Sequence, residues 1–318
     1  MMKPPQHRAS SVAFRDLPSL TPRQLLRKYL RKKAWRLFDW QQNYFLKPND
    51  AISKLPLAGE VHDQDVVEAL RHLAAALPDR LLDLGANIGL VAMQLADHVR
   101  RIDCVEPNPL VCGVLRINLA LNCRNFHVHE FGLGPADAEA LLFIPRGNIG
   151  GAFIRDANEY SAEQLARKDG YVRFDDTNYL TQPVRIRECA AALRELRGED
   201  TGSLIVKIDV EGLESLILAQ LLETCRDLFE RSAIALVFES HDHQSAQRLR
   251  QQTAVHGYEV YGLRIARMPA QRQPVLRRLH KLWGGEHRRL EFVTLADLGG
   301  DLSVTNFACC PAALAGPA

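Results

Sequence analysis

No apolar run in this chain approaches the roughly 18 residues that a membrane-crossing helix needs. The first residues hold no apolar core of the kind that marks a secretory leader. The expectation is a cytoplasmic protein without a span. Charge of one sign is scarce too. Forty basic and 38 acidic residues leave a net +2, which argues against bulk nucleic-acid binding. The seven cysteines, Cys104, Cys112, Cys123, Cys189, Cys225, Cys309 and Cys310, show no metal-site spacing. Most sit in apolar runs and read as buried, reduced thiols. The G-x-G-x-x-G pattern of a dinucleotide fold is missing as well.

What is present is a packed core. Apolar residues make up 47% of the 318 positions and charged residues 25%, the balance of a globular chain. The length allows one large domain, or a domain plus an extension. The run Leu81–Leu84 is apolar apart from Asp83. Gly85 and Gly89 follow, with Ala86 and Asn87 between them. This reads as strand, tight turn and helix start, a turn whose backbone can approach a ligand. The next run ends in Glu106, roughly twenty residues on, where a carboxylate can take both hydroxyls of a ribose. Asn87 and Leu90 occupy the second and third glycine positions of the dinucleotide pattern. With Asp83 before the first glycine, the spacing points to S-adenosylmethionine rather than NAD.

In chain order, residues 1–20 read as loose. Thr21, Pro22 and Gln24 open a helix with Arg23, Arg27, Lys28, Arg31, Lys32, Lys33 and Arg36 on it. Leu26, Leu30, Ala34, Leu37 and Phe38 recur at helical spacing. Such a basic amphipathic segment, to about residue 46, can lie on an anionic membrane surface at the inner membrane face, grip an acidic substrate, or present a solvated face. Residues 1–60 form an N-terminal extension in this reading. Asp63 or Asp65 opens a helix that Pro78 stops. Strands at 81–84, 102–106 and 126–131 alternate with helices from Gly89 to about His98 and from 110 to 121, which implies a mostly parallel sheet. Gly132 follows the third strand, where backbone can approach an adenine. A short strand at 141–145, a glycine-rich loop at 147–151, a lid at 155–182 and a strand at 184–187 come next.

The second informative stretch is Leu204–Glu214. A central parallel strand is almost wholly apolar, yet Lys207 and Asp209 interrupt this one. Strand side chains alternate, so Lys207, Asp209 and Glu211 share a face. Glu211 and Glu214 are also neighbours on a helix that begins there. The reading is a site; the competing one is a salt-bridged strand end followed by an acidic first helical turn. The strand at 233–238 ends in Glu239, Ser240 and His241. Glu239 and His241 share a face, and a metal trio is one reading of them. Strand 258–263 and strand 306–311 pair antiparallel in this scheme, with residues 264–291 as an exposed insertion.

The blocks D-L-G-A-N-I-G, E-P-N-P, K-I-D-V-E-G-L-E and F-E-S-H resemble those of the FkbM-type methyltransferases, from about residue 80 to 311. The resemblance implies an α/β, class I methyltransferase (Rossmann-like), doubly wound and mostly parallel seven-stranded sheet with an antiparallel end pair, filling 61–318. It implies S-adenosyl-L-methionine as cofactor, held by Asp83, Gly85, Ala86, Asn87, Gly89, Glu106, Pro107, Asn108 and Gly132. It also implies a methylated hydroxyl on a sugar, glycan or natural product. Lys207, Asp209, Glu211 and His241 are then the catalytic candidates. Asp209, Glu214 and Glu239 are candidates for a divalent ion. Two alternatives remain: a cofactor-binding interaction protein without turnover, and a lipid-linked acceptor met at the membrane. Nucleic acid is not an expected partner, since no N-P-P-[YF] block follows the fourth core strand.

Overall fold

The computed structural model describes residues 45–46, 52, 61–146, 148–154, 175–210, 212–240, 243–267, 288–299, 301 and 303–315. The basic segment ahead of Phe45, most of the lid, Glu211, His241 and residues 268–287 lie outside them.

Helix α1 (Gln64–Ala74) precedes strand β1 (Arg80–Leu84). The short α2 (Leu90–Met93), β2 (Arg101–Val105), α3 (Pro109–Asn122) and β3 (Phe126–His129) complete the first half. After an interposed region come α4 (Cys189–Arg197), β8 (Leu204–Ile208), α5 (Glu214–Thr224), α6 (Arg226–Glu230) and β9 (Ile234–Glu239). Helix α7 (Gln244–Thr253), β10 (Tyr258–Arg267), β11 (Arg288–Thr294), α8 (Leu295–Leu298) and β12 (Asn306–Pro311) end the described chain.

The main sheet runs β11-β10-β12-β9-β8-β1-β2-β3. Strands β3, β2, β1, β8 and β9 are mutually parallel, and β12 is antiparallel to both β9 and β10. This is the doubly wound order that the sequence resemblance implies, with the direction of winding reversing between β1 and β8. The antiparallel pairing of 258–263 with 306–311 is as the sequence suggests. The strand count is not. Arg288–Thr294 adds an eighth strand beyond β10, in a stretch read as insertion. Its charges hid it: Arg264 of β10 and Glu291 of the edge strand β11 pair at 2.8 Å.

A second sheet, β4-β7-β5-β6, is built from β4 (Gly132–Gly134), β5 (Ala138–Pro145), β6 (Phe153–Ile154) and β7 (Tyr179–Glu188). Part of the predicted lid is therefore strand. Strand β7 alternates buried and exposed positions, as a sheet with one covered face does.

Each face of the main sheet carries its own core. Leu82, Leu84, Val206, Ile208, Leu236 and Phe238 pack on one side with α4 and α5. Leu81, Ile205, Ala235 and Val237 pack on the other with α1, α2 and α3. The period-2 alternation puts Asp83 and Lys207 on that second face too, directly opposite each other in the β1–β8 register. On the first face, Asp103 is fully buried and takes Arg80 and Arg101, each at 2.7 Å, tying β1 to β2.

Candidate active site

Strand β1 ends in a turn that needs glycine. Gly85 has φ 79°, and a Cβ there would overlap the carbonyl oxygen of Asp209. Gly85 and Ala86 both donate their N–H groups to the Val105 carbonyl, at 2.9 and 3.2 Å. Asn87 also takes a left-handed backbone, φ 51°, as asparagine does more readily than most residues. Its side-chain oxygen accepts from the Ile88 N–H at 2.8 Å. Gly89 opens α2, with Leu115 packed where its Cβ would be.

Above this turn lies a cavity of about 470 Å³, within the range of small-molecule sites. Gly85, Ala86, Asn87, Glu106, Pro107, Gly132, Lys207, Asp209 and Glu239 line it. Asp83, Gly89, Asn108 and Glu214 do not. Asn108 caps α3 by accepting from the Leu110 N–H at 3.0 Å. The Glu214 carboxylate accepts from Val210 N–H at 3.1 Å and Gly212 N–H at 3.0 Å, holding the turn after β8. This answers the helix-neighbour reading of Glu214: α5 begins at Glu214, and the acid serves the backbone ahead of it. Among the described residues no three His, Cys, Asp or Glu side chains converge as a metal set.

Lys207 organises the floor. Its ammonium lies 3.3 Å from Asp83, 3.1 Å from Asp209 and 3.0 Å from the Gly85 carbonyl oxygen. Burial pushes this ammonium down, but Asp209, Asp83 and Asp63 more than offset that and hold it well above its ordinary value. It stays charged. Asp83 is fully buried, and neither of its oxygens has a hydrogen bond. Burial raises its carboxyl against the pull of Lys207.

Glu106 is buried at the tip of β2. Its two oxygens accept from Asn87 N–H at 2.9 Å and Asn108 N–H at 2.8 Å. Burial raises it to about 7, against those two hydrogen bonds. A carboxylate has about four acceptor positions, so two remain for a ligand's hydroxyls. Phe131, Leu133, Leu142, Phe153 and Ile154 make the neighbouring wall apolar. This combination fits a nucleoside: a diol acceptor beside an apolar slot, over a turn whose first residue, Gly85, carries no side chain.

Sequence reasoning missed several lining residues. His62 and Asp63, just ahead of α1, face the cavity, as do Asn148–Ile154, Thr305 and Asn306. Asp63 reads from sequence as a helix cap. It does sit at that position, but its side chain makes no capping bond.

No protein-family description matches the chain, and no curated protein matches it. Among solved structures it resembles a precorrin-6y C5,15-methyltransferase from Geobacter metallireducens. That likeness has 12% identity and a TM-score of 0.35, over 83% of this chain and 100% of the other. It resembles an SAM-dependent methyltransferase from Agrobacterium tumefaciens at 12% identity and a TM-score of 0.37, over 77% and 60%. An rRNA methylase from Streptococcus thermophilus matches at 9% and 0.34, over 76% and 92%. Similarity this distant says nothing of the reaction. None of the described helices is long and apolar enough to cross a membrane.

Proposed function

We propose that the protein is an S-adenosylmethionine-dependent methyltransferase, acting on a hydroxyl of a sugar or glycan in the manner of the FkbM-type enzymes it resembles in sequence. One observation carries the reading. A buried carboxylate with acceptor positions to spare, Glu106, and a lysine-held carboxylate, Asp209, share one cavity across the glycine turn of β1.

When bound, the cofactor supplies an electrophilic methyl carbon on a sulfonium. The chain's own residues do the rest. Glu106 would hold the ribose hydroxyls, and the apolar wall of Phe131, Leu133 and Phe153 would take the base. Lys207 fixes the Gly85 carbonyl and the Asp209 carboxylate in one geometry. Asp209, partly exposed to the cavity, receives the acceptor's proton as the new bond forms. Lys207 is 5% exposed and already shared among Asp83, Asp209 and Gly85, so it serves as a positioning residue and not as the receiver of an acidic substrate group.

Calorimetric titration with S-adenosylhomocysteine is the test of the cofactor; a flat titration removes the reading. Incubation with labelled cofactor and a glycan extract tests the acceptor. Label recovered only in RNA, or on carbon or nitrogen, overturns the hydroxyl assignment while leaving the cofactor in place. Asp209→Asn is expected to keep cofactor binding and lose turnover by about 100-fold or more.

A further inference from the structure

Two carboxylates, Asp63 and Asp209, face the cavity beside one ammonium, Lys207, while burial raises Glu106 to about 7. Asp63 is the least expected of these. It precedes α1 at the position where an aspartate ordinarily caps the helix, yet its carboxylate makes no capping bond. Its backbone is left-handed, φ 48° and ψ 54°, a conformation disfavoured for a residue with a Cβ. The side chain lies instead beside His62, with Nδ1 and Oδ2 2.9 Å apart, and both residues face the cavity. Burial pushes the Asp63 carboxyl up, but His62 and the Lys207 ammonium more than offset this and hold it below the usual range. Helix capping and backbone comfort are both given up, and an ionised carboxylate stands at the cavity wall.

We propose that Asp63 is a charge-selecting residue of the cofactor site, which makes the cavity hold a cationic sulfonium or ammonium centre in preference to a neutral thioether. This rests on the cofactor reading above and deepens it. Methyl transfer turns a sulfonium into a thioether while the acceptor proton leaves to a base, so the ligand loses its positive charge in the reaction. The Asp63 carboxylate at the wall then retains the substrate form of the cofactor and releases the product form. The other titratable groups facing Asp63 are His62 on its own segment, Asp83 on β1 and Lys207 on β8.

The experiment needs no acceptor. Full-length protein is titrated calorimetrically, at neutral pH and fixed ionic strength, with S-adenosylhomocysteine and with sinefungin, which carries an ammonium group at the reactive centre. The wild type is expected to bind sinefungin more tightly. Asp63→Asn and Asp63→Gly both suit a left-handed backbone, and circular dichroism checks their folding. Each is expected to bind S-adenosylhomocysteine within about twofold of wild type, while the preference for sinefungin falls roughly tenfold. Glu68→Gln, which removes a carboxylate one turn along the same helix where it pairs with Arg71, is expected to leave the preference intact. An unchanged preference in both Asp63 variants overturns the proposal, as does an equal fall in Glu68→Gln. Wild-type protein that binds neither ligand overturns the cofactor reading itself, and the two failures are told apart by whether S-adenosylhomocysteine binds.

Discussion

Lys207 shows how much one side chain can hold. It neutralises Asp83, orients Asp209 and ties the Gly85 carbonyl to β8. Lys207→Met leaves Asp83 buried with its oxygens unpartnered, and a broken buried pair costs about 3–5 kcal/mol. Urea unfolding should show that loss, and adding Asp83→Asn should recover part of it. Gly85→Ala is expected to destabilise by roughly 2–4 kcal/mol, from backbone strain and overlap with Asp209 together. Glu106 sets a pH dependence. Its carboxyl is raised from 4.5 to about 7 by burial, so the folded state keeps a proton that the unfolded chain releases. Its contribution is fully present below pH 4.5 and is lost as pH rises to about 7. Asp83 and Glu214, also raised by burial, act in the same direction. Unfolding free energy measured across that window should fall less steeply in Glu106→Gln. The sequence marks each of these side chains as unusual. It does not show that Asp83 and Lys207 touch, because that contact comes from β1–β8 register across more than a hundred residues.

At the scale of elements, legibility followed burial. Strands β1, β2, β8 and β9 are covered on both faces and read as near-continuous apolar runs. Strand β12 is apolar enough to be recognised as well. Strands β7 and β11 keep polar or charged residues because one face or edge meets water, so they resemble loop and insertion. The helix after Gly89 is shorter than its pattern suggests. After Met93 the chain continues in tighter turns, with Gln94 bonding back to Val91, Leu95 to Ala92 and Ala96 to Met93. The turn after β8 illustrates a different limit. A glutamate in an acidic cluster looks like a metal ligand from sequence, whereas Glu214 closes a loop by accepting backbone N–H groups. Glu214→Ala is expected to cost about 1–2 kcal/mol in urea unfolding. Glu214→Gln, which keeps one acceptor oxygen, should cost less.

Across the described molecule, the sheet divides two cores, and adjacent residues can belong to different ones. Cys309 packs into one and Cys310 into the other, which is why neighbouring thiols can both be buried without acting together. All seven cysteines are buried and unbridged. A ligand that spans the strand tips should stabilise both cores at once. At 100 times its dissociation constant it adds about 2.7 kcal/mol by mass action, and a single, upward-shifted melting transition is the expected record. A finer coupling lies beneath it. Because the Gly85 backbone rests against the Asp209 carbonyl, with the Asp209 N–H bonded to the Leu84 carbonyl at 3.0 Å, the turn after β1 and the turn after β8 form one mechanical part. On the proposed function, filling the nucleoside end alone should slow amide exchange at Val210 and Gly212, so that an arriving acceptor would meet a wall already stiffened by the cofactor.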